Sequence, residues 1–212
     1  KTAAIVCSIF VILGAIISGS GTTETLGKLG AINALPGAFA ACVAAGLSVY
    51  LMTKAGLPVS TTQAIVGAIV GWNLYTGSDT NIRVLITILG TWVLCPVIAG
   101  VIAMGFFTIT KKYLLRRKLH ILRLDAYTRT ALLLAGAFGA YSLGANNIAN
   151  VMGVFVPISP FTDVSISNFF VFSSKEQLFL LGGLAIADGV FTYSKKVMVT
   201  VGSDLLKMSP VA

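Results

Sequence analysis

Three consecutive hydroxyl side chains, Ser60, Thr61 and Thr62, interrupt an otherwise apolar stretch just after Pro58. Proline suits the first turn of a helix, because its missing N–H has no partner there in any case, so a helix is predicted to begin near this point. A helix start presents unpaired N–H groups and about half a positive charge, which favour an anion, and the hydroxyls would add donors. The same hydroxyls could instead bond to carbonyls of their own helix, and the residues alone favour neither interpretation.

Three asparagines, Asn146, Asn147 and Asn150, lie within five residues of a segment that otherwise has the character of an apolar helix. Asn146 and Asn150 are four residues apart and therefore share one helical face. Amide oxygens can coordinate a hard cation, and amide N–H groups can hold an oxyanion. Buried amides are costly unless paired, so the cluster predicts either a binding site or hydrogen bonds between helices.

Two carboxylates are further candidates for a role in ion coupling. Glu24 follows the first apolar run, and Asp188 lies within the last one. Either side chain could take part in ion coupling or could be solvated at an interface, and the sequence leaves both interpretations open.

The composition indicates which elements must position these residues. The 212 residues are 56% hydrophobic and only 10% charged, whereas soluble domains carry about 25% charged residues. The apolar residues come in long runs, and a transmembrane helix needs about 20 of them. The chain is therefore predicted to be an all-α integral membrane protein.

About six transmembrane helices are expected from the uncharged runs. They lie near residues 3–20, 37–53, 58–75 and 84–110, from residue 126 onwards, and near residues 177–193. Gly and Pro within several of them predict broken or re-entrant segments, which membrane helices tolerate when neighbours satisfy the freed backbone groups.

The basic residues predict the orientation of the chain. Seven of the 15 Lys and Arg residues lie close together in a central loop and its edge: Lys111, Lys112, Arg116, Arg117, Lys118, Arg123 and Arg129. Short loops rich in Lys and Arg stay cytoplasmic, and six crossings would place twelve of the 15 on that side. The net charge of +8 is therefore a signal of topology in the cell membrane. It indicates contact with anionic lipid head groups and no nucleic-acid partner.

Enzymatic motifs are absent from the sequence. There is no His-Glu-x-x-His, no Gly-x-Ser-x-Gly and no credible pair of nucleophile and base, so the protein is predicted not to be an enzyme and to need no organic cofactor. The sequence also offers no ring of charged residues that could line the pore of a passive channel. Gly67 and Gly71 allow close helix packing, and such small-residue faces are compatible with a homodimer.

Two segments together resemble the PiT family of inorganic phosphate transporters, which also includes sulfate permeases. Gly56–Gly71 is similar to the family's Pro-Val-Ser-Thr-Thr-His-Ala-Ile-Val-Gly segment, with Gln63 in place of histidine. Gly144–Asn150 is similar to its Gly-Ala-Asn-Asp-Val-Ala-Asn signature, with Asn147 in place of aspartate. Fainter similarities are Thr23-Glu24-Thr25 after the first span and Trp92 with Pro96 in the fourth.

The resemblance implies a fold of two inverted repeats around a midplane site. Residues 1–110 would be the later part of repeat one, residues 111–125 a basic cytoplasmic loop, and residues 126–212 the earlier part of repeat two. A first asparagine signature and a second Ser-Thr-Thr hairpin would then belong to parts of a longer transporter outside this chain, so half of the site is expected here.

The function that the resemblance implies is secondary active transport of inorganic phosphate coupled to sodium or protons. A sulfate permease of the same family and a passive anion channel are the alternatives. The substrate-binding residues would be Ser60, Thr61, Thr62, Asn146 and Asn150. A sodium ion would be held by Asn147, Asn146 and Thr62, although the replacement of the signature aspartate by Asn147 leaves the coupling ion open.

Overall fold

The computed structural model describes residues 2–30, 32, 35–55, 57, 59–116, 121–167 and 170–199. These residues form seven α-helices, a short 3₁₀ helix and two short strands. The helices are α1 (Thr2–Ser18), α2 (Ser20–Leu29), α3 (Leu35–Lys54), α4 (Thr61–Thr76), α5 (Ile82–Arg116), α6 (Ile121–Met152) and α7 (Ser174–Val199). The 3₁₀ helix is Gly153–Ile158, and the strands are β1 (Val164–Ser167) and β2 (Phe170–Phe172).

The predicted all-α membrane class agrees with the length and composition of the helices. Leu35–Lys54 and Ile82–Lys112 are long and apolar enough to cross a membrane, with hydropathies of 1.8 and 2.3. The bent pair Ala3–Ser18 and Ser20–Leu29 gives a third candidate. Helix α4 has 16 residues, fewer than the roughly 20 that a full crossing needs. Six crossings and the inverted repeats therefore stay predictions.

The first predicted span, residues 3–20, is interrupted at Gly19. Helices α1 and α2 meet there at an angle of 62°. A Cβ atom on Gly19 would overlap both the Ala15 carbonyl oxygen and the Ile148 side chain, so the bend requires a residue without a side chain. The bend carries the Thr-rich α2 away from the axis of α1.

A small β-hairpin was not expected in an all-α protein. Strands β1 and β2 pair antiparallel, with Val164 opposite Phe172 and Ser165 opposite Val171. These strands are short and rich in β-branched and aromatic residues, which favour extended structure. The hairpin connects the 3₁₀ helix to α7.

Glycines bring α1 into backbone contact with α6 and α7. A Cβ atom on Gly14 would overlap the Tyr141 carbonyl, and one on Gly144 would overlap the Val11 carbonyl. A Cβ atom on Gly183 of α7 would lie 3.4 Å from the Cα atom of Ile12. Small residues permit this close approach of membrane helices. Helices α1, α6 and α7 therefore form a tightly packed group.

A second packed group is formed by α2, α3 and α4. Its buried side chains include Leu29, Ala38, Ile65 and Ile69. The face of α4 that carries Gly67 and Gly71 was predicted to pack closely, but a Cβ atom at either position would meet nothing within 4 Å in the described part of the chain.

The predicted basic loop at residues 111–125 is mostly helical. Helix α5 continues to Arg116 and α6 begins at Ile121; residues 117–120, with part of the basic cluster, lie outside the described residues. An exposed pair, Asp125 and Arg129 at 3.4 Å, lies in the first turns of α6. The long helices thus carry the basic residues beyond the apolar segments.

Candidate functional site

Helix α4 begins within the predicted Ser-Thr-Thr segment. Ser60 is the N-cap, with φ −99° and ψ 122°, and its hydroxyl accepts a hydrogen bond from the Gln63 N–H at 3.3 Å. Serine is a favoured N-cap because its oxygen satisfies one of the free N–H groups of the first turn. The predicted role of Pro58 lies outside the described residues. The helix start itself is where the sequence predicted it.

The two polar motifs meet at Asn150. Its Nδ2 donates to Thr62 Oγ1 at 3.0 Å, to Thr61 Oγ1 at 3.2 Å and to Asn147 Oδ1 at 3.0 Å. The Thr61 hydroxyl also lies 3.5 Å from Asn147 Oδ1, at the outer limit for a hydrogen bond. An amide nitrogen has two hydrogens, so Asn150 shares them among three acceptors. This amide joins the start of α4 to α6, across nearly 90 residues of sequence.

A cavity of about 460 Å³ opens beside this junction. Its volume is within the range of small-ligand sites, roughly 300–1,000 Å³. Helices α2, α4, α5 and α6 each contribute part of the wall, which combines hydroxyl and amide groups with apolar side chains and contains no charged residue. The lining residues are Thr22, Thr25, Leu26, Ser60, Thr62, Gln63, Val66, Ile88, Thr91, Trp92, Cys95, Pro96, Asn146 and Asn150.

The predicted site residues divide into two sets. Ser60, Thr62, Asn146 and Asn150 line the cavity. Thr61, by contrast, is not part of this wall; it contacts Asn150 and Asn147 at the junction. Asn147 accepts hydrogen bonds there and is likewise not part of the wall. The structure therefore brings all six side chains into one region. Thr62 and Asn150 belong both to the cavity wall and to the junction between the helices, whereas Thr61 and Asn147 belong to the junction alone.

Several wall residues had no predicted role. Thr22 of α2 lines the cavity and also donates its hydroxyl to the Ala145 carbonyl of α6 at 3.1 Å. Thr91, Trp92 and Pro96 come from α5, and Thr25 from α2. Single threonines in apolar helices carry little signal in a sequence; the faint resemblance around residues 23–25, 92 and 96 was the available indication.

The two carboxylates considered from the sequence do not reach this cavity. Glu24 is exposed and lies 4.0 Å from Lys28, one helical turn further on. Asp188 is exposed on α7. Neither residue is part of the wall, so the candidate site on the described chain is built from neutral groups.

Comparison with known proteins gives the family. The phosphate transporter family matches residues 1–212. The chain belongs to the phosphate transporter family. Three relatives carry names that give different functions, and each of them is longer than the part that this chain matches.

A protein of Methanocaldococcus jannaschii named "Putative phosphate permease" is 42% identical over 99 residues, 46% of this chain and 33% of that protein. A sodium-dependent phosphate transporter of Plasmodium falciparum is 38% identical over 81 residues, 36% of this chain and 12% of that protein. A sulfate permease of Bacillus subtilis is 28% identical over 212 residues, 98% of this chain and 55% of that protein. The chain thus spans at most about half of these relatives. No solved structure matches it.

Proposed function

We propose that the protein to which this chain belongs is a secondary active transporter of inorganic phosphate. The observation that carries the proposal is the meeting of a helix N-terminus, capped by Ser60, with the Asn150 amide beside a cavity of about 460 Å³. Membership of the phosphate transporter family supports the same conclusion. Transport would proceed by movement of one part of the protein against another around this site.

The phosphate anion would be bound by neutral donors at the start of α4. Ser60 and Thr62 face the cavity, and the hydroxyl of each accepts a hydrogen bond from within the protein, so the hydroxyl protons remain for an anion. The free N–H groups of the first turn add to them. Asn146 and Asn150 complete the wall, while Thr61 acts at the junction between the helices. Hydrogen bonds to a charged ligand are about twice as strong as neutral ones, which compensates for the absence of a basic residue in this wall.

The coupling ion is proposed to be sodium, with protons as the alternative. The oxygens of Asn147, Asn146 and Thr62 could hold sodium beside the anion, since hard cations prefer oxygen ligands. Proton coupling requires a titratable group, and Cys95 is the titratable residue among the lining residues. The Plasmodium relative named as sodium-dependent supports the same preference.

The test is phosphate uptake by the complete protein in proteoliposomes, with and without an inward sodium gradient. Sodium-driven uptake is expected. Uptake that is driven only by a pH gradient would show that the coupling ion is the proton and not sodium. Absence of phosphate uptake under either gradient, from correctly inserted protein, would refute the proposed function.

Two alternative functions have specific signatures in the same assay. A sulfate permease, suggested by the Bacillus relative that matches 98% of this chain, would show sulfate uptake that phosphate does not inhibit. A passive anion channel would conduct without any cation dependence. Phosphate uptake that requires a sodium or pH gradient and that excess sulfate does not inhibit would exclude both.

The proposed setting is the cell membrane, crossed several times, with the basic segment around residues 111–125 on the cytoplasmic side. A cysteine introduced at Lys112, which is exposed on α5, should react with a membrane-impermeant reagent only in inside-out vesicles. Labelling from the outside of intact cells would contradict this orientation. The homodimer stays a prediction, which the mass of the purified complete protein would test.

A further inference from the structure

The two asparagines of the cavity wall are held in different ways. The Asn150 amide donates to three oxygens at the junction of α4 and α6. The Asn146 side chain is exposed in the same wall, and it forms no hydrogen bond with any residue that the structure describes. Its amide is therefore free to bind a ligand, but its place must be set by the backbone of α6.

That backbone is held on the N-terminal side of Asn146 by both α1 and α2. Gly144 approaches α1 so closely that a Cβ atom on it would overlap the Val11 carbonyl. Thr22 Oγ1 of α2 donates to the Ala145 carbonyl at 3.1 Å. This carbonyl and the Asn146 nitrogen belong to one planar peptide group, so the hydrogen bond from Thr22 acts directly on the backbone at Asn146.

The bend between α1 and α2 rests on one face of α6. The Ser18 hydroxyl, just before the bend, is hydrogen-bonded to the Tyr141 hydroxyl. At the bend itself, a Cβ atom on Gly19 would overlap the Ile148 side chain. Tyr141, Ala145 and Ile148 are four and three residues apart, so they share a face of the helix. The hydrogen bond from α2 to the Ala145 carbonyl therefore lies in the middle of a continuous contact.

We propose that Thr22 is a positioning residue for the anion site, because it holds the backbone of α6 where the Asn146 amide can reach the bound anion. A hydrogen bond weakens steeply when its angle or distance is poor, so a small shift of this backbone is enough to lose one. The oxygens of an anion accept hydrogen bonds, and the single hydroxyl proton of Thr22 is already donated to Ala145. Thr22 thus acts through Asn146. This inference rests on the proposed function and adds to it the element that aligns the site.

The first test is Thr22→Val, measured as equilibrium binding of radiolabelled phosphate to the purified complete protein at saturating sodium. Valine has nearly the shape of threonine but cannot donate to the Ala145 carbonyl. We expect phosphate affinity to fall by about tenfold, the lower end of the cost of losing one hydrogen bond to a charged ligand. The melting temperature should not change, because hydrogen bonds between membrane helices contribute little to stability on average. Affinity equal to that of the wild type would overturn the proposal.

A double-mutant cycle with Asn146→Ala distinguishes a positioning role from direct contact with the anion. If Thr22 acts through Asn146, its substitution has nothing left to displace once the amide is removed. Thr22→Val should then lower phosphate affinity by less than about twofold in the Asn146→Ala background, which is the signature of two coupled residues. An equal loss in both backgrounds would refute the positioning role, since Thr22 would then act independently of Asn146.

Two further variants show whether the hydroxyl of this particular threonine is responsible. Thr22→Ser keeps the donor and should bind phosphate nearly as well as the wild type; binding as weak as that of Thr22→Val would contradict the proposal. Thr130→Val is the matched control on α6, because the exposed Thr130 hydroxyl bonds the Ala126 carbonyl of its own helix at 3.0 Å. It should leave phosphate binding unchanged, and a loss equal to that of Thr22→Val would also contradict the proposal.

Binding and transport together separate this inference from the proposed function. Coupling between Thr22 and Asn146 in phosphate binding, in a protein without phosphate uptake, would sustain the positioning role while the proposed function fails. Sodium-driven phosphate uptake with equal losses in both backgrounds would do the reverse. In a protein that binds sulfate and not phosphate, the same cycle with radiolabelled sulfate gives the same two outcomes for Thr22. A protein that binds neither anion would overturn both.

Discussion

Substitution of Thr62 by valine tests the proposed anion site most directly. Thr62 lines the cavity, and its oxygen accepts the Asn150 amide at 3.0 Å, which leaves the hydroxyl proton free for a ligand. Valine has nearly the same shape but no donor. Phosphate would therefore lose one charge-assisted hydrogen bond, worth about 1.5–3 kcal/mol.

The change should affect binding and leave folding intact. In Thr62→Val, the Asn150 Nδ2 hydrogens still have two acceptors, Thr61 Oγ1 at 3.2 Å and Asn147 Oδ1 at 3.0 Å. No buried donor is orphaned, so a large loss of stability is not expected. An affinity loss of about 10- to 150-fold follows, because each 1.4 kcal/mol is a factor of ten.

The assay is the dependence of uptake on phosphate concentration, with the complete transporter in proteoliposomes at saturating sodium. Thr62→Ser keeps the hydroxyl and should recover most of the affinity. Thr108→Val is a control on α5, since the Thr108 hydroxyl bonds the Met104 carbonyl of its own helix at 2.7 Å. A KM of Thr62→Val within twofold of the wild type would refute the assignment of Thr62 as an anion donor.

Three further predictions concern the junction and the packing. Thr61→Val should cut phosphate uptake sharply while membrane insertion stays normal, because its hydroxyl connects to the Asn147 and Asn150 amides; unchanged uptake would remove Thr61 from the site. Gly144→Ala should destabilise the protein by about 1–3 kcal/mol, since its Cβ would overlap the Val11 carbonyl, whereas Gly136→Ala, which meets nothing within 4 Å, should leave thermal unfolding in detergent unchanged. Asn73→Ala should cost roughly 1–3 kcal/mol, measured in the same way, because this fully buried side chain bonds Thr80 at 3.0 Å; a melting temperature equal to the wild type would show that the bond contributes nothing.

The starts of the helices could be predicted where a local signal exists. Ser60 caps α4 because a serine oxygen can accept an N–H of the first turn, and this chemistry is contained within four residues. The bend at Gly19 was not predicted, since one of the groups that leave no room for a Cβ there, the Ile148 side chain, lies on a distant helix. The same holds for Gly14 and Gly144, whose importance comes from the backbone that each of them touches.

The residues of the site also divide into those that a local sequence signal predicts and those that only the packing of the helices reveals. Asn146 and Asn150 could be predicted as site residues because amides are rare in apolar helices, and the structure places both in the cavity wall. Thr91 could not, because a single threonine in a membrane helix commonly bonds its own backbone, as Thr91 does. The place of Thr91 and Thr25 in the same wall as the asparagines comes from how α2 and α5 pack with α4 and α6, which no local pattern encodes.

The sequence by itself determined that this protein is helical and apolar, and that Ser60 to Thr62 and Asn146 to Asn150 are its unusual polar segments. Composition, helix capping and the cost of burying amides are local properties, so they can be read without a fold. Only the tertiary structure decided that Asn150 donates to Thr61 and Thr62, and that Trp92 lies in the wall of the same cavity. These hydrogen bonds join the start of α4 to α6, between residues almost 90 positions apart, so they depend on how the two helices pack. That packing is a property of the assembled helices, which no single segment contains.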